Sequence, residues 1–431
     1  MKSEDFVEEK QERETKHVSK IEKLWFNSFE QTKKPEGSII RNVPALNHTI
    51  GKCLMQALCV DIRNIALFVL MVFCALDSQS VCLSMWILSC AQHKAASGIR
   101  RFTRWLKNST IEALTWYKPL FLYAVGAWGN SPILLALDTT MLFDEFCAIR
   151  VSLIYLGRSV PVTWRVIRHR SSSVKWAEYK DLLEQAKELL PKNVQVILLA
   201  DRGFVSRKLM LQLRNLGWSW RIRVMGKQTF ICGGKTIRPK ALPLKMGDAL
   251  FFPGRVQFGK GLEGLSLSAG WAKGSKEAWY VLSDTPAGME VFMDYACRFG
   301  IEEGFRDEKS GGFCLEESGI RDEKMLERMI VVIAVATIVA VSEGLFVIES
   351  GKREEVDSHW IRGLSYFQIG LRWIYRQMRQ KEGEMIVHFE LKAMKEPLPG
   401  APSRKEARKR WQRKKPKALF YGNVSFNPLL G

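Results

Sequence analysis

Two short apolar segments, each followed directly by an aspartate, constrain the possible fold of this chain most strongly. Ile133–Leu137 precedes Asp138, and Val194–Ala200 precedes Asp201. Short apolar runs bounded by turn residues are typical of strands buried in a sheet. Strands are also predicted at residues 146–156, 160–167 and 218–224, and helices at residues 176–190 and 206–216. In chain order this gives strand, strand, strand, helix, strand, helix, strand.

This order of elements predicts an α/β layer with an RNase H-like topology. In such a sheet Asp138 and Asp201 lie near each other at the ends of adjacent central strands. The segment that follows the last strand is rich in glycine and aromatic residues and too long for a loop, so it predicts a β-strand insertion. The chain is predicted to divide into five parts. Residues 1–129 form a helical N-terminal region, 130–225 the first part of the core, 226–284 the insertion, 285–345 the second part of the core, and 346–431 a helical C-terminal region with a basic tail.

A predicted helix at residues 289–312 carries four polar side chains at helical spacing: Tyr295, Arg298, Glu302 and Lys309. A regular α-helix gathers these positions within an arc of roughly 60°. Gly300 is unfavourable inside a helix, whereas Gly311–Gly312 suits a helix end. The face is therefore either an ordinary solvated charged surface or a place where a phenol, a guanidinium, a carboxylate and an ammonium act together.

The carboxylates favour the second interpretation. A single aspartate at a strand end is most often a turn or cap residue, but here Asp138 and Asp201 each close an apolar strand and Glu302 follows on a later helix. Three converging carboxylates repel one another unless cations neutralise them, and oxygen ligands favour Mg²⁺ or Mn²⁺. Two such ions about 4 Å apart activate a water or a 3′-hydroxyl and stabilise the leaving oxygen of a phosphodiester. The residues therefore predict two-metal phosphoryl transfer.

The charge balance indicates a polyanionic partner. The chain has 65 Lys and Arg against 45 Asp and Glu, a net charge of +20. A surplus of this size points first to nucleic acid and second to an anionic membrane. Two apolar runs, 65–75 and 330–341, are expected to be too short to span a bilayer and to form buried helices. We therefore predict a nucleic-acid partner and no membrane.

The cysteine pattern and the N-terminus bear on the compartment. Nine cysteines occur without a CxxC pair and six histidines stand far apart, so neither structural zinc nor a disulfide framework is expected. The first twenty residues carry charges of both signs without an apolar segment, so a secretory signal is not expected either. These features favour a reduced cytoplasm.

Clusters of basic residues are the candidate contacts to a phosphate backbone. The segment 94–107 has no acidic residue, and its cations, Lys94, Arg100, Arg101, Arg104 and Lys107, alternate with Phe102 and Trp105. We expect one helix face to reach phosphates and the aromatic face to pack in the core. The basic residues between Arg165 and Arg170 and the tail at 404–417 are expected to add affinity that does not depend on sequence.

These residues resemble a known family. The spacing of Tyr295, Arg298, Glu302 and Lys309 matches the Y-R-E-K signature of DDE transposases encoded by bacterial insertion sequences of the cut-and-paste kind. Asp138 in LALDTT and Asp201 in LLADRGF look like the two aspartates of the family's triad. The text FGIEEGFRDEKSG is similar to the family's text around its catalytic Glu and Lys, and the resemblance extends over about residues 96–341.

The resemblance implies a role for each matching position. Asp138, Asp201 and Glu302 would hold two Mg²⁺ or Mn²⁺ ions as the catalytic residues, and Tyr295, Arg298 and Lys309 would grip phosphates beside the scissile bond. Family members carry a β insertion before the Glu helix, and in some a Trp on its last strand stacks on a flipped base. Trp279 lies at a similar place, where it is either that base-stacking residue or part of the core. Glu303 would point about 100° away from Glu302 on a helix, so no metal is assigned to it.

The predicted function is DNA transposition. The protein would bind the terminal inverted repeats of its own element, cleave there, and transfer the freed 3′-hydroxyl to target DNA or first to the opposite strand. It would act as a homodimer on paired double-stranded ends in the bacterial cytoplasm, at the nucleoid. Two alternatives use the same residues differently: an RNase H-like nuclease without strand transfer, and a catalytically inactive DNA-binding protein derived from a transposase.

Overall fold

One mixed β-sheet forms the centre of the fold. The structure is a computed structural model that describes residues 46–89, 95–357, 364–380, 386–393, 420, 422 and 424–426. The strands of these residues all join this sheet. In chain order they are β1 (Ile133–Leu142), β2 (Phe146–Tyr155), β3 (Arg158–Arg168), β4 (Val196–Ala200), β5 (Ser219–Arg223), β6 (Phe230–Cys232), β7 (Lys235–Ile237), β8 (Ala249–Gln257), β9 (Leu265–Gly270), β10 (Trp279–Ser283) and β11 (Val424–Phe426).

The first five strands have the predicted RNase H-like arrangement. They are ordered β3-β2-β1-β4-β5. Strands β1, β2 and β3 form an antiparallel meander, whereas β4 and β5 run parallel to β1. Parallel neighbours need crossover connections, and these contain the two predicted helices, Trp176–Leu189 after β3 and Arg207–Leu216 after β4. The fold class is therefore the predicted mixed α/β one with an RNase H-like core.

The insertion is built into the same sheet. Strand β10 pairs antiparallel with β5 on one side and with β9 on the other, and the order continues as β9-β8-β6-β7. β11 pairs in parallel with β8. Hydrogen bonds therefore run without interruption from the core into the insertion, and Trp279 at the start of β10 is fixed relative to the core strands.

The helices of the described residues cover this sheet and extend beyond it. They are α1 (Lys52–Ala57), α2 (Ile62–Ser78), α3 (Leu83–Ser89), α4 (Ala95–Lys107), α5 (Ala113–Ala124), α6 (Trp176–Leu189), α7 (Arg207–Leu216), α8 (Met289–Cys297), α9 (Phe299–Arg306), α10 (Glu323–Glu349) and α11 (Tyr366–Arg379). A π-helical turn, Asn47–Gly51, precedes α1, and another, Asp307–Gly311, follows α9. The predicted helical character of the N-terminal region holds for its described residues.

Helix α10 is the central helix of the packing. Its first turn is capped by Asp322, which accepts a hydrogen bond from the Met325 amide. It packs against β3 and against α2, α4, α5 and α11. Its length and apolar character would suffice to cross a membrane, contrary to the expectation for 330–341, but 94% of its most apolar stretch is buried inside the fold. Helices α2 and α3 are long and apolar enough to cross a membrane only when taken together, and the chain bends by 91° between them.

Helices α10 and α11 cross in direct backbone contact at two glycines. A Cβ atom on Gly344 would lie 1.8 Å from the Tyr366 carbonyl oxygen, and one on Gly370 would lie 1.7 Å from the Ala340 carbonyl oxygen. Only residues without a side chain permit this approach.

We expect Gly370→Ala to lower the free energy of unfolding by about 3 kcal/mol, because the two helices must separate to admit the methyl group. Gly203→Ala is the control, since a Cβ there meets no atom within 4 Å, and it should change stability by less than about 0.5 kcal/mol. Urea unfolding of both variants measures the difference. Equal stabilities would contradict the close packing of α10 on α11.

Candidate active site

Strand register places the two aspartates side by side. Leu137 on β1 pairs with Ala200 on β4 in the last pair of their parallel ladder. Asp138 and Asp201 are the next residues on the two strands. The prediction put both at strand ends, but only Asp201 follows the end of its strand. Asp138 lies inside β1, which continues to Leu142 because it remains paired with β2 beyond this point.

The predicted single helix at 289–312 is divided. α8 ends and α9 begins on either side of Arg298, which keeps right-handed helical dihedrals. Here the chain tightens to i→i+3 bonds: the Arg298 amide donates to the Tyr295 carbonyl and the Ile301 amide to the Arg298 carbonyl. The π-helical turn Asp307–Gly311 that follows has more residues per turn than an α-helix. The four polar residues therefore do not share one regular helix face.

Gly300 has a packing role that the sequence prediction missed. A Cβ on Gly300 would lie 3.0 Å from the Arg158 carbonyl oxygen, and one on Gly304 would lie 2.1 Å from the Ser159 hydroxyl. These two glycines, one turn apart, let α9 lie directly against the start of β3. This close approach places α9, which carries Glu302, over the sheet and in contact with β1, the strand of Asp138.

Arg298 joins two of the three predicted carboxylates. Its guanidinium donates from Nη1 to Asp138 Oδ2 over 2.8 Å and from Nη2 to Glu302 Oε1 over 2.5 Å. The Arg298 residue is 4% exposed, whereas the side chain of Glu302 is 48% exposed. A buried cation thus bridges a carboxylate from the sheet and one from the helix.

Tyr295 brings in the third carboxylate. This residue is fully buried, and its hydroxyl donates to Asp201 Oδ1 over 3.2 Å. Burial raises the pKa of Tyr295 well above its usual range, so the hydroxyl remains a donor. Asp138, Asp201 and Glu302 are therefore linked through two residues of one helical segment.

Asp138 is a largely enclosed carboxylate, with 18% of its side chain exposed. Burial raises its pKa to about 6, against the opposing effect of the Arg298 guanidinium, and the nearby charges of Glu302 and Asp201 raise it further. Its Oδ1 accepts a hydrogen bond from the Thr139 amide. The three carboxylates thus affect one another electrostatically.

The donor set suits a divalent cation, although the side chains are arranged around a guanidinium. Carboxylate oxygens are the ligands that Mg²⁺ and Mn²⁺ prefer. Among the described residues, however, no group of three His, Cys, Asp or Glu side chains is positioned to hold a metal ion as it stands. The residues fit the ions in chemistry, and Arg298 takes the place of a cation between two of them.

Lys309 lies apart from this cluster. Its ammonium donates to the Met141 carbonyl near the end of β1 and lies 3.4 Å from the Glu316 carboxylate. Glu303 also points elsewhere, since its carboxylate pairs with Arg306 at 3.0 Å and Arg158 at 3.4 Å. The Lys309 ammonium therefore contacts β1 three residues beyond Asp138.

An aromatic group borders the carboxylates. Trp279 is half-buried, and its ring meets that of Tyr295 edge-on at 5.4 Å and that of Phe299 at 5.9 Å. Phe299 is the most exposed of these three aromatic residues, at 39%. Trp279 is thus partly a packing residue, and the sequence prediction missed Phe299, whose position beside Arg298 was the available signal.

A buried ion pair behind the site was also missed. Arg150 on β2 lies directly across from Asp138 in the β1–β2 ladder, and its Nη1 donates to Glu308 Oε1. The two side chains are 1% and 5% exposed. The pair ties the π-helical turn after α9 to the sheet. The signal was a single arginine in the otherwise apolar strand text FCAIRVSLIY.

The predicted basic helix is α4, and its two faces differ as expected. Phe102 and Trp105 are 2% exposed. The other side borders an open cleft of about 650 Å³. The cleft's polar lining includes Asn64, Arg100, Arg101, Arg104, Lys107 and Asn108.

A single arginine of α10 fixes the end of this helix. Arg328 donates to the Leu106 carbonyl at the end of α4 and to the Ile111 carbonyl beyond it, each over 2.7 Å. The cations of the cleft are therefore carried by a helix that is anchored to the central helix of the fold.

The other predicted basic contacts have different settings. Arg165 lies 3.6 Å from Asp181, and Arg168 pairs with Glu145, so much of their charge is compensated within the protein. Lys94 and the tail at 404–417 lie outside the described residues.

Comparison with known proteins gives one family match. Residues 146–339, somewhat less than half of the chain, match a family model described as a transposase DDE domain. The matched segment contains Asp201 and the whole of 289–312 and begins after Asp138. No curated protein matches the chain.

Among solved structures, the chain is similar to a piggyBac transposase that was determined by cryo-EM in a synaptic complex with hairpin DNA. The two are 13% identical, with 79% of this chain and 77% of that chain covered and a TM-score of 0.40.

Proposed function

We propose that this chain is a DDE transposase of the bacterial insertion-sequence, cut-and-paste type. It binds the terminal inverted repeats of its element, cleaves the DNA there and transfers the freed end to a target. The observation that carries this proposal is that Tyr295 and Arg298 link Asp138, Asp201 and Glu302 by hydrogen bonds beside an RNase H-like sheet. Two of these carboxylates lie within the segment that is similar to a transposase DDE domain.

Asp138, Asp201 and Glu302 are the residues that would hold two divalent cations. When bound, such ions activate a water or 3′-hydroxyl and neutralise charge on the phosphodiester. The protein's own contribution is to fix the strand. Arg298 presents a planar guanidinium that suits bidentate phosphate binding, Tyr295 offers a hydroxyl, and Lys309 adds a cation near the end of β1.

The aromatic group offers a surface for a base beside the scissile phosphate. The Phe299 ring lies 5.0 Å from the Arg298 guanidinium and packs against Trp279. Stacking on an aromatic ring contributes about 1–3 kcal/mol per base. Trp279 is fixed through β10 to the core sheet. We therefore propose that this group holds an unpaired base at the DNA end during cleavage.

The α4 cleft supplies affinity that does not depend on sequence. It carries Arg100, Arg101, Arg104 and Lys107, and the protein would act as a homodimer on two DNA ends at the bacterial nucleoid. Neutralisation of phosphates by these cations releases counterions, so binding weakens steeply as salt is added.

We expect Arg100→Ala/Arg104→Ala to weaken binding to duplex DNA. The slope of log K against log salt should fall by about 0.9 for each phosphate that the variant no longer neutralises. Arg372→Ala/Arg376→Ala is a matched control, because it removes two arginines at the same spacing from α11, where each donates to a backbone carbonyl. Fluorescence anisotropy at several salt concentrations measures both slopes. Equal reductions in the two double variants would contradict a specific role for α4.

The function is tested with labelled DNA that carries the element's inverted repeat, Mg²⁺ or Mn²⁺, and either wild type or Asp201→Ala. Metal-dependent cleavage at the repeat end, abolished in the variant and followed by joining to a second DNA, is the expected result. Cleavage without joining would indicate the nuclease instead. Binding without cleavage, alike in both proteins, would indicate an inactive transposase-derived DNA-binding protein.

A further inference from the structure

One guanidinium engages the oxygens that the proposed reaction needs for metal ions. Asp138 has both oxygens engaged, Oδ1 by the Thr139 amide and Oδ2 by Arg298. Glu302 Oε1 is bonded to the same guanidinium, and Asp201 Oδ1 accepts the Tyr295 hydroxyl. Every carboxylate of the cluster therefore has a protein donor on at least one oxygen.

We propose that Arg298 keeps the metal site closed in the free protein and that a DNA phosphate opens it by drawing the guanidinium away. Divalent cations then bind tightly only when DNA is in place. This inference rests on the proposed function, because it takes the three carboxylates as the metal site. It gives Arg298 a second role beside phosphate binding.

The geometry explains why the closed arrangement holds. Arg298 is 4% exposed and pairs with two carboxylates at 2.8 and 2.5 Å, so its charge is compensated where it is buried. A divalent cation that entered between Asp138 and Glu302 would meet this fixed positive charge at close range. The cation and the guanidinium therefore compete for the same oxygens.

A phosphate changes this balance because it offers Arg298 another pair of anionic oxygens. Guanidinium binds phosphate bidentately, and Arg298 can take up this alternative only if it leaves the carboxylates. The coupling is reciprocal: whatever factor DNA adds to metal affinity, the metal adds to DNA affinity. Premature metal binding and unguided hydrolysis would both be suppressed in the absence of DNA.

The first test measures Mn²⁺ alone, without DNA, by the paramagnetic resonance signal of the free ion. We expect Arg298→Gln to bind Mn²⁺ at least tenfold more tightly than wild type. Arg306→Gln is the matched control, because Arg306 lies at the end of α9 and pairs with Glu303 outside the cluster, and it should bind like wild type. Arg298→Gln/Glu302→Gln should lose the gain. Binding by Arg298→Gln that is no tighter than in wild type would overturn the proposal.

A second measurement covers the case in which Arg298→Gln does not fold. Wild-type protein should bind Mn²⁺ at least tenfold more tightly with a duplex of about 20 base pairs than without it, and Asp138→Asn should not show this rise. A wild-type affinity that is unchanged by the duplex, or a rise that Asp138→Asn shares, would overturn the proposal. Mn²⁺ binding that behaves as expected in a protein that cuts no DNA would sink the transposase function alone.

Discussion

Glu302→Gln is expected to lower metal-dependent DNA cleavage by about 10³-fold or more, while Glu303→Gln leaves the rate within about twofold. The amide keeps the shape of the side chain but removes a charge that would hold the ions. Metal ions contribute several kcal/mol to such a reaction, and each 1.36 kcal/mol corresponds to a factor of about ten. Glu303 is the adjacent residue of the same type and pairs with Arg158 and Arg306, away from Asp138.

Single-turnover cleavage of end-labelled DNA, with binding measured separately by anisotropy, checks this prediction. Both variants should bind DNA, so a difference in cleavage reports the reaction itself. An equal reduction in Glu302→Gln and Glu303→Gln would point to a general disturbance of α9. Unchanged cleavage in Glu302→Gln would exclude this carboxylate from the reaction.

Arg150→Met is expected to lower the free energy of unfolding by about 3–5 kcal/mol. The change leaves the Glu308 carboxylate buried without its partner, and an uncompensated buried charge costs this much in other proteins. The cation also lies 5.1 Å from the centre of the Phe305 ring, an interaction that the thioether does not replace. Because Glu308 belongs to the turn after α9, the disturbance should extend to the position of Lys309.

Arg150→Met/Glu308→Met separates the charge effect from packing. Removal of both charges should recover most of the stability, since apolar pairs of similar volume often replace buried ion pairs at little cost. Lys118→Met breaks the exposed pair with Glu188 and should cost less than about 1 kcal/mol. Urea unfolding followed by circular dichroism measures all three. A double variant no more stable than Arg150→Met would contradict the account.

The core of the fold follows from patterns that act over short stretches. Apolar runs of strand length, with helices between them, predict the order of β1 to β5, and the order alone places Asp138 beside Asp201. Amphipathic spacing also separates the buried Phe102 and Trp105 from the arginines of α4. In each case a local sequence pattern predicts the element, and the tertiary packing is consistent with that pattern.

The site differs from the prediction where tertiary packing decides. Helical spacing alone places Lys309 with Arg298, but the irregular turns before and after α9 send its ammonium to the Met141 carbonyl. Gly300 looks unfavourable by propensity, yet its close approach to β3 requires it. The partner of Arg150 is 158 positions away, and no local pattern encodes such a pair. Arg298 pairs with Glu302 locally, at i and i+4, but its pair with Asp138, 160 positions away, depends on contacts between distant elements.

Because α10 packs at the centre of the fold, a newly made chain can complete its fold only after this helix has been synthesised. The helices that carry the α4 cleft pack against α10, which ends at Glu349, more than two hundred residues after that cleft has been synthesised. At about 5–20 residues per second, the interval lasts roughly 10–50 seconds. During it neither the cleft nor the carboxylate cluster has its full support, since Glu302 also arrives late. A nascent chain can therefore complete the α4 cleft and the carboxylate cluster only after most of it has been synthesised.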